Sequence, residues 1–185
     1  MIKKYIPYDC YMTVFDIDYK KLYEDGIRYL LIDIDNTLLT YDELDPRREH
    51  YVLFRELKNI GFKVCLISNN HRDRVERVSK PLDVCGVWDA YKPLTIGFKR
   101  ALKLMGVKDR NSVVAIGDQI VTDVSGANKT KIKPILVKTI KKSNQKWYTI
   151  INRSREKNII KKIKKVNPDI YRKILEVGGQ DCESN

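Results

Sequence analysis

Short apolar runs alternate with longer amphipathic segments along most of this chain, and the alternation limits the folds it can adopt. Five runs have the length and composition of strands: YLLIDI (29–34), FKVCLI (62–67), the weaker VWDAY (87–91), VVAI (113–116) and PILV (134–137). The segments between them carry apolar residues at helical spacing, and two of them stop at Gly61 and Gly106. This order predicts an α/β protein with a mainly parallel sheet and helices on both faces.

The size and composition fit one globular domain in a reducing compartment. The chain has 185 residues, 43% hydrophobic and 32% charged, which is enough for a sizeable core. We find neither an apolar stretch of the roughly 18 residues that a membrane span needs nor an apolar signal core near the N-terminus. The cysteines are widely spaced without a C-x-x-C pair, which argues against a zinc site. We therefore expect a cytoplasmic protein.

Positive charge is concentrated towards the C-terminus. Of the formal net charge of +12, residues 138–185 contribute +8, from 13 basic and 5 acidic side chains. Such a segment attracts nucleic acid, anionic lipid or a phosphorylated substrate, and charge alone does not distinguish them. A lysine-rich composition without any function is an equal alternative.

Within that segment, residues 152–166 have an amphipathic helical pattern. Ile159, Ile160, Ile163 and Val166 share one face, and the other face carries Lys157, Lys161, Lys162, Lys164 and Lys165. The apolar stripe could pack on the core and leave the lysines in solvent. Alternatively, the lysines could face an anionic membrane surface.

Reactive side chains follow four of the predicted strands, where each strand ends. They are Asp33 and Asp35 after the first strand, Ser68, Asn69 and Asn70 after the second, Lys92 after the third, and Asp118 with nearby Asp123 after the fourth. The carboxyl ends of parallel strands share one crevice, so these side chains should converge. Carboxylates suit a hard divalent cation, Mg²⁺ by preference, while lysine and serine can hold phosphate oxygens. Each residue alone could be a cap or a turn residue, but that explanation must then hold at four strand ends.

Four segments, in order, resemble motifs I to IV of the haloacid dehalogenase superfamily of phosphatases. They are DIDNT (33–37), SNN (68–70), KP (92–93) and GDQIVTDV (117–124). More narrowly, the chain resembles the YqeG-type branch of subfamily IIIA over nearly its whole length, including FDID (15–18) and the basic tail after ILV (135–137). The resemblance implies a Rossmann-like fold and a Mg²⁺-dependent phosphomonoester hydrolase that works through an aspartyl-phosphate.

The resemblance also implies a role for each residue. Asp33 would be the nucleophile, Asp35 the general acid and base, and Ser68 and Lys92 would bind and neutralise the phosphoryl group. Asn69 would contact substrate. Mg²⁺ would be held by Asp33, Asp118, the backbone carbonyl of Asp35, and Asp123 directly or through water, while Asn36 and Thr37 would brace the turn.

The spacing of the motifs leaves no room for a cap domain. Only 32 residues separate Asp35 from Ser68, and 23 separate Ser68 from Lys92. We expect an N-terminal helical extension (1–26), a phosphatase core (27–140), a basic helical extension (141–175) and a disordered tail (176–185).

An open site suits a phosphate on a large molecule, such as a lipid head group, a protein or a nucleic-acid end, better than a small metabolite. Mitochondrial relatives suggest phosphatidylglycerophosphate, and hence a cytoplasmic protein at the inner face of the membrane. Two other classes compete with this interpretation. A receiver domain would place its phosphoacceptor after a later strand. A nucleic-acid or ribosome-associated binding protein would explain the basic tail but not the carboxylates, which repel phosphate when no metal is bound.

Overall fold

The described residues form one six-stranded sheet that is covered by helices. The computed structural model describes residues 2–140 and 147–178. The strands are β1 (Asp9–Tyr11), β2 (Tyr29–Asp33), β3 (Lys63–Ile67), β4 (Cys85–Val87), β5 (Val113–Gly117) and β6 (Lys133–Val137). The α-helices are α1 (Tyr19–Glu24), α2 (Arg48–Ile60), α3 (Arg72–Ser79), α4 (Thr95–Met105), α5 (Ser125–Thr130), α6 (Trp147–Val166) and α7 (Pro168–Gly178). The strand order is β1-β6-β5-β2-β3-β4, and every neighbouring pair is parallel.

The sheet buries side chains on both faces, which explains its uninterrupted apolar runs. In β2, Leu30 and Ile32 pack in a core with α1, α2 and α3, while Leu31 packs in a second core with α4 and α5. Gly61 and Gly106 end α2 and α4 in the left-handed conformation, as the sequence predicts. The predicted α/β fold is confirmed. Among the described residues, one helix lies between β2 and β3 and one between β3 and β4, so neither connection holds a cap domain.

Two parts of the sheet differ from the prediction. Residues 1–26 were expected to be a helical extension, but Asp9–Tyr11 forms β1 and pairs in parallel with β6 at the sheet edge. Three residues are too few to show an alternating pattern. The predicted strand VWDAY is also shorter and earlier than expected. It ends at Val87, because Asp89 and Tyr91 take positive φ angles of 42° and 54°, which no strand can contain.

The basic C-terminal segment packs on the core through two helices. Ile160 and Ile163 of α6 and Ile174 of α7 are buried in a third apolar cluster, which also contains Leu136 of β6. Val166, the last residue of the predicted stripe, is 52% exposed, and the five lysines of the other face are exposed. Helix α7 continues three residues past the predicted boundary at 175, while residues 141–146 and 179–185 lie outside the described residues. None of the described helices combines the length and apolarity needed to cross a membrane.

His50 provides a pH-dependent contact beside the loop that follows β2. The imidazole is buried; its Nδ1 accepts from the backbone N–H of Arg47 (3.0 Å) and its Nε2–H donates to the carbonyl of Leu38 (2.9 Å). These two contacts require the neutral ring. Burial lowers the pKa of His50, so the unfolded chain binds more protons than the folded one as the pH falls.

We therefore expect the free energy of unfolding to decrease as the pH falls from about 6.5 through the lowered pKa of His50. Urea unfolding of the wild type and of His50→Gln over this range measures the effect. The stability difference between the two proteins should shrink as the pH falls, because only the wild type loses a contact that requires the neutral imidazole. A difference that does not change with pH would contradict this account.

Candidate active site

The reactive residues lie where the strand order of the sheet reverses. The chain leaves β2 towards β3 and β4 on one side, and then crosses to β5 and β6 on the other. Asp33 is the last residue of β2, and Asp118 directly follows β5, the strand next to it. In open α/β sheets a crevice forms at this point, outside the carboxyl ends of the strands.

Asp33 is a buried carboxylate with a lysine beside it. Its Oδ1 accepts from Nζ of Lys92 (2.5 Å) and its Oδ2 accepts from the Thr37 hydroxyl (2.9 Å). Burial raises the pKa of Asp33; Lys92 opposes this shift, and the carboxylates of Asp123, Asp118 and Asp35 add to it. A cation held by the same carboxylates would favour the ionised form of Asp33.

Lys92 is held at both its side chain and its backbone. Its buried Nζ donates to Asp123 Oδ1 (2.6 Å) as well as to Asp33. Burial disfavours the ammonium ion, but the attraction of Asp123 and Asp33 outweighs it and raises the pKa of Lys92. The Asn69 amide bonds both backbone groups of Lys92, accepting from its N–H (2.6 Å) and donating to its carbonyl (3.1 Å). The Asn69 amide therefore positions Lys92; contact of the same residue with substrate stays a prediction.

Asp35 has a different set of partners. Side chains two positions apart in a strand point to the same side, so the sequence predicts this for Asp33 and Asp35. The prediction is wrong, because β2 stops at Asp33 and Asp35 forms an isolated β-bridge with Leu39 across a turn. Its Oδ2 accepts from the Ser68 hydroxyl (3.1 Å) and the Asn70 amide (3.0 Å), and its Oδ1 accepts from Nε of Arg74 (3.2 Å). The two carboxylates of DIDNT therefore lie in distinct environments, which can support different roles.

A single π-helical turn, Ile120–Val124, brings Asp123 back towards β5. Asp123 Oδ2 accepts from the backbone N–H of Gln119 (3.2 Å) and from the Thr122 hydroxyl (3.1 Å). A Cβ on Gly117 would lie 2.4 Å from Cγ of Asp123, so the close approach requires glycine. The carboxylate of Glu156 in α6 accepts from the N–H of Val121 (3.2 Å), so the C-terminal helix supports this turn.

Three buried carboxylates could hold a metal ion. Asp33, Asp118 and Asp123 each offer an oxygen, and these atoms lie within 4.8 Å of one another. With Asp35, four carboxylates face two cations, Lys92 and Arg74, which leaves a formal charge of −2. Oxygen ligands and an excess of negative charge suit a hard divalent cation such as Mg²⁺. The donor set therefore fits the metal that the sequence predicts.

The predicted residues converge; the structure adds two that the sequence did not indicate, Arg74 and Thr139, and it gives a contact to Asn70, which we named without a role. Asn70 and Arg74 bond Asp35, and the Thr139 hydroxyl donates to Asp118 Oδ2 (2.8 Å). Thr139 follows the end of β6, so it could have been predicted in the same way as the other residues, from its place at the carboxyl end of a parallel strand. Arg74 lies in the first turn of α3, where an arginine carries no signal in the sequence.

Comparisons with known proteins agree with the geometry. A family model described as haloacid dehalogenase-like hydrolase matches residues 8–129, and a HAD-hydrolase-like model matches residues 90–174. The chain is 35% identical over 166 residues to the probable phosphatase YqeG of Bacillus subtilis, covering 89% of this chain and 95% of that protein.

Solved structures support the fold. One is the cobalt-bound deoxy-D-mannose-octulosonate 8-phosphate phosphatase YrbI of Haemophilus influenzae, with a TM-score of 0.51 at 14% identity over 76% of this chain and 90% of that chain. Another is an uncharacterized protein of Listeria monocytogenes, with a TM-score of 0.51 at 18% identity over 65% of this chain and 85% of that chain. At these identities the likeness concerns the fold alone.

Proposed function

This chain belongs to the haloacid dehalogenase-like hydrolase family as a YqeG-type phosphatase, and we propose that it hydrolyses phosphate monoesters with Mg²⁺ through an aspartyl-phosphate at Asp33. One observation carries the proposal. Beyond the carboxyl end of β2, Asp33 lies against Lys92, while Asp35 lies against Ser68. This arrangement supplies a nucleophile beside a cation and a second carboxylate for proton transfer.

In the first step an Asp33 carboxylate oxygen attacks phosphorus, and the bond from phosphorus to the alcohol oxygen breaks. Asp35 gives a proton to that leaving oxygen. In the second step water attacks the aspartyl-phosphate, Asp35 takes its proton, and inorganic phosphate leaves with Asp33 restored. Lys92 offsets negative charge on the phosphoryl group. The Ser68 hydroxyl, which donates to Asp35 in the structure, turns to donate to a phosphoryl oxygen when substrate binds. A Mg²⁺ ion held by Asp33, Asp118 and Asp123, with the carbonyl of Asp35, would supply further positive charge there.

The test is hydrolysis of a simple aryl phosphate by purified protein, measured as released inorganic phosphate. We expect turnover with added Mg²⁺ and loss of turnover after EDTA treatment, with recovery when excess Mg²⁺ is restored. Turnover that persists in EDTA would contradict the metal requirement, and failure to hydrolyse any of a panel of phosphomonoesters would contradict the proposed reaction.

We propose a large, lipid-linked phosphate, such as phosphatidylglycerophosphate, as the substrate. Four exposed apolar side chains on segments that adjoin site residues support this choice: Leu44 (52% exposed), Tyr91 (62%), Leu94 (60%) and Ile140 (45%). Tyr91 directly precedes Lys92, and the Tyr91 carbonyl accepts from the N–H of Leu94 (2.8 Å). Ile140 is joined to the loop after β2, because its N–H donates to the carbonyl of Asn36 (3.1 Å). Apolar side chains around an uncapped site suit acyl chains or a bilayer surface.

The exposed lysines of α6 would then hold the protein at an anionic membrane, peripherally and from the cytoplasmic side. Replacing Lys161, Lys162, Lys164 and Lys165 with glutamine should lower the binding constant for phosphatidylglycerol vesicles, measured by sedimentation, by up to about 10³-fold, because each of the four lysines contributes roughly 1 kcal/mol near such a surface. Activity on phosphatidylglycerophosphate in vesicles should fall as well, while activity on an aryl phosphate stays unchanged.

A matched control replaces four exposed lysines elsewhere, Lys20, Lys99, Lys103 and Lys108, with glutamine. It removes the same charge and should bind vesicles almost as well as the wild type. Equal loss of binding in the two variants would show that only net charge matters. Equal loss of both activities in the α6 variant would indicate a structural role, because α6 supports the turn that carries Asp123.

A further inference from the structure

Arg74 connects Asp35 to the loop formed by residues 40–45, which we call the 40–45 loop. Its side chain is 13% exposed. Its Nε donates to Asp35 Oδ1 (3.2 Å), and its two terminal nitrogens donate to the carbonyls of Thr40 (3.2 Å), Glu43 (2.5 Å) and Leu44 (3.3 Å). One guanidinium group therefore joins a reactive carboxylate to three carbonyls of a single loop.

These contacts restrict the orientation of the Asp35 carboxylate. Arg74 holds Oδ1, while Ser68 and Asn70 hold Oδ2, so the carboxylate is bonded on both oxygens. An ammonium group in place of the guanidinium could not reproduce this geometry, because it lacks the planar fork that bonds a carboxylate and several carbonyls at once.

We propose that Arg74 is a positioning residue for Asp35 and couples the orientation of that carboxylate to the 40–45 loop. The inference rests on the proposed function, in which Asp35 transfers the proton to the leaving group. Proton transfer depends steeply on geometry, so a protonated carboxyl group that rotates freely is a poor acid even when its reactivity is otherwise intact.

A purely structural role for Arg74, as an anchor of the loop, must be separated from this one. Arg77 offers the matched control. It lies one turn further along α3 and holds the same loop through Asp45, with Nε and a terminal nitrogen donating to the two carboxylate oxygens (2.8 and 2.9 Å). Within the part of the chain that the structure describes, Arg77 makes no hydrogen bond or ion pair with Asp35, so Arg77→Met loosens the loop without releasing that carboxylate.

The experiment measures kcat/KM for aryl phosphates whose leaving groups range from a strongly acidic dinitrophenol to phenol itself. A leaving group that needs no proton is insensitive to the general acid, whereas phenol requires it. For Arg74→Met we expect a loss of about 10²-fold with phenyl phosphate and a much smaller loss with dinitrophenyl phosphate. The dependence of the rate on leaving-group acidity should steepen towards that of Asp35→Asn.

Arg77→Met should leave this dependence as in the wild type. Arg74→Lys keeps the positive charge but removes the planar guanidinium group. It should also steepen the dependence of kcat/KM on leaving-group acidity, and it replaces Arg74→Met in the experiment if that variant does not fold. Equal losses with all leaving groups, or the same steepening in Arg77→Met, would overturn the role of Arg74 while the proposed hydrolysis stands. A wild-type protein without activity on any ester would overturn the proposed function as well.

Discussion

Replacing Asp33 with asparagine is expected to lower kcat/KM for an aryl phosphate by more than about 10³-fold, the largest effect of any single change in the site. An amide cannot attack phosphorus to form the covalent intermediate, and it is a weaker metal ligand than a carboxylate. Asparagine has nearly the same shape; its one amide oxygen can accept from Lys92, and its NH2 group can donate to the Thr37 hydroxyl, so the fold should persist. Steady-state kinetics with Mg²⁺, together with thermal unfolding, measure both expectations.

Asp73→Asn is the matched control for this variant. Asp73 is an exposed aspartate in the first turn of α3, so the same loss of charge occurs on the surface and turnover should stay near the wild-type value. Turnover by Asp33→Asn within tenfold of the wild type, in a preparation free of other phosphatases, would mean that Asp33 is not the nucleophile.

Replacing Lys92 with methionine is expected to lower both activity and stability. The loss of its charge from the phosphoryl site should cost about 10²- to 10³-fold in turnover. At neutral pH the unfolding free energy should fall by about 3–5 kcal/mol, the usual penalty when one partner of a buried ion pair is removed. Both Asp33 and Asp123 lose the ammonium group that now lies within 2.6 Å of them.

The penalty in Lys92→Met should become smaller as the pH falls. Burial already raises the pKa of Asp33, and the positive charge of Lys92 opposes this shift. In the variant this charge is absent, so the pKa of Asp33 rises further. Protonation then removes a buried charge, so the variant regains stability relative to the wild type as the pH is lowered towards about 5. Mg²⁺ should raise the melting temperature more in the variant, because four carboxylates then face one cation, Arg74.

Urea unfolding over this pH range, and melting with Mg²⁺ or EDTA, test these expectations for Lys92→Met. Lys129→Met is the control. The exposed Lys129 donates to the carbonyl of Pro93 (3.3 Å), the residue after Lys92, and this contact does not involve the carboxylates. If Lys92→Met and Lys129→Met show the same unfolding free energy and the same pH dependence, the buried ion pairs of Lys92 do not stabilise the fold.

The central sheet could be predicted because its signals are local. Strands buried on both faces must be apolar throughout, and a helix between two parallel strands shows a different period, so β2, β3, β5 and β6 stand out. β1 carries no such signal, since Asp9–Tyr11 is short, lies at the sheet edge and depends on β6 for its pairing. The bend at Asp89 and Tyr91 was missed because both residues take conformations that are uncommon for their types.

The residues of the site follow from a rule that needs only the order of elements along the chain. When successive strands are parallel, their carboxyl ends meet at one edge, so polar residues at those ends could be grouped without knowing any distance. Asp33, Asp35, Ser68, Lys92 and Asp118 were all named in this way. The same residues led us to expect a hard divalent cation, because such ions favour carboxylate oxygens.

The pairing of these side chains was decided only by the tertiary structure. Asp123 contacts Lys92 because a π-helical turn folds it over Gly117, and the spacing of four residues after Asp118 does not determine that direction. Asn69 bonds the backbone of Lys92, and Arg74 bonds Asp35, across 23 and 39 positions of the chain. Such contacts depend on rotamers, turn geometry and the packing of helices on the sheet. They are set by how all the elements fill the same space, and the local pattern of residues therefore shows which groups meet but not which of them bond.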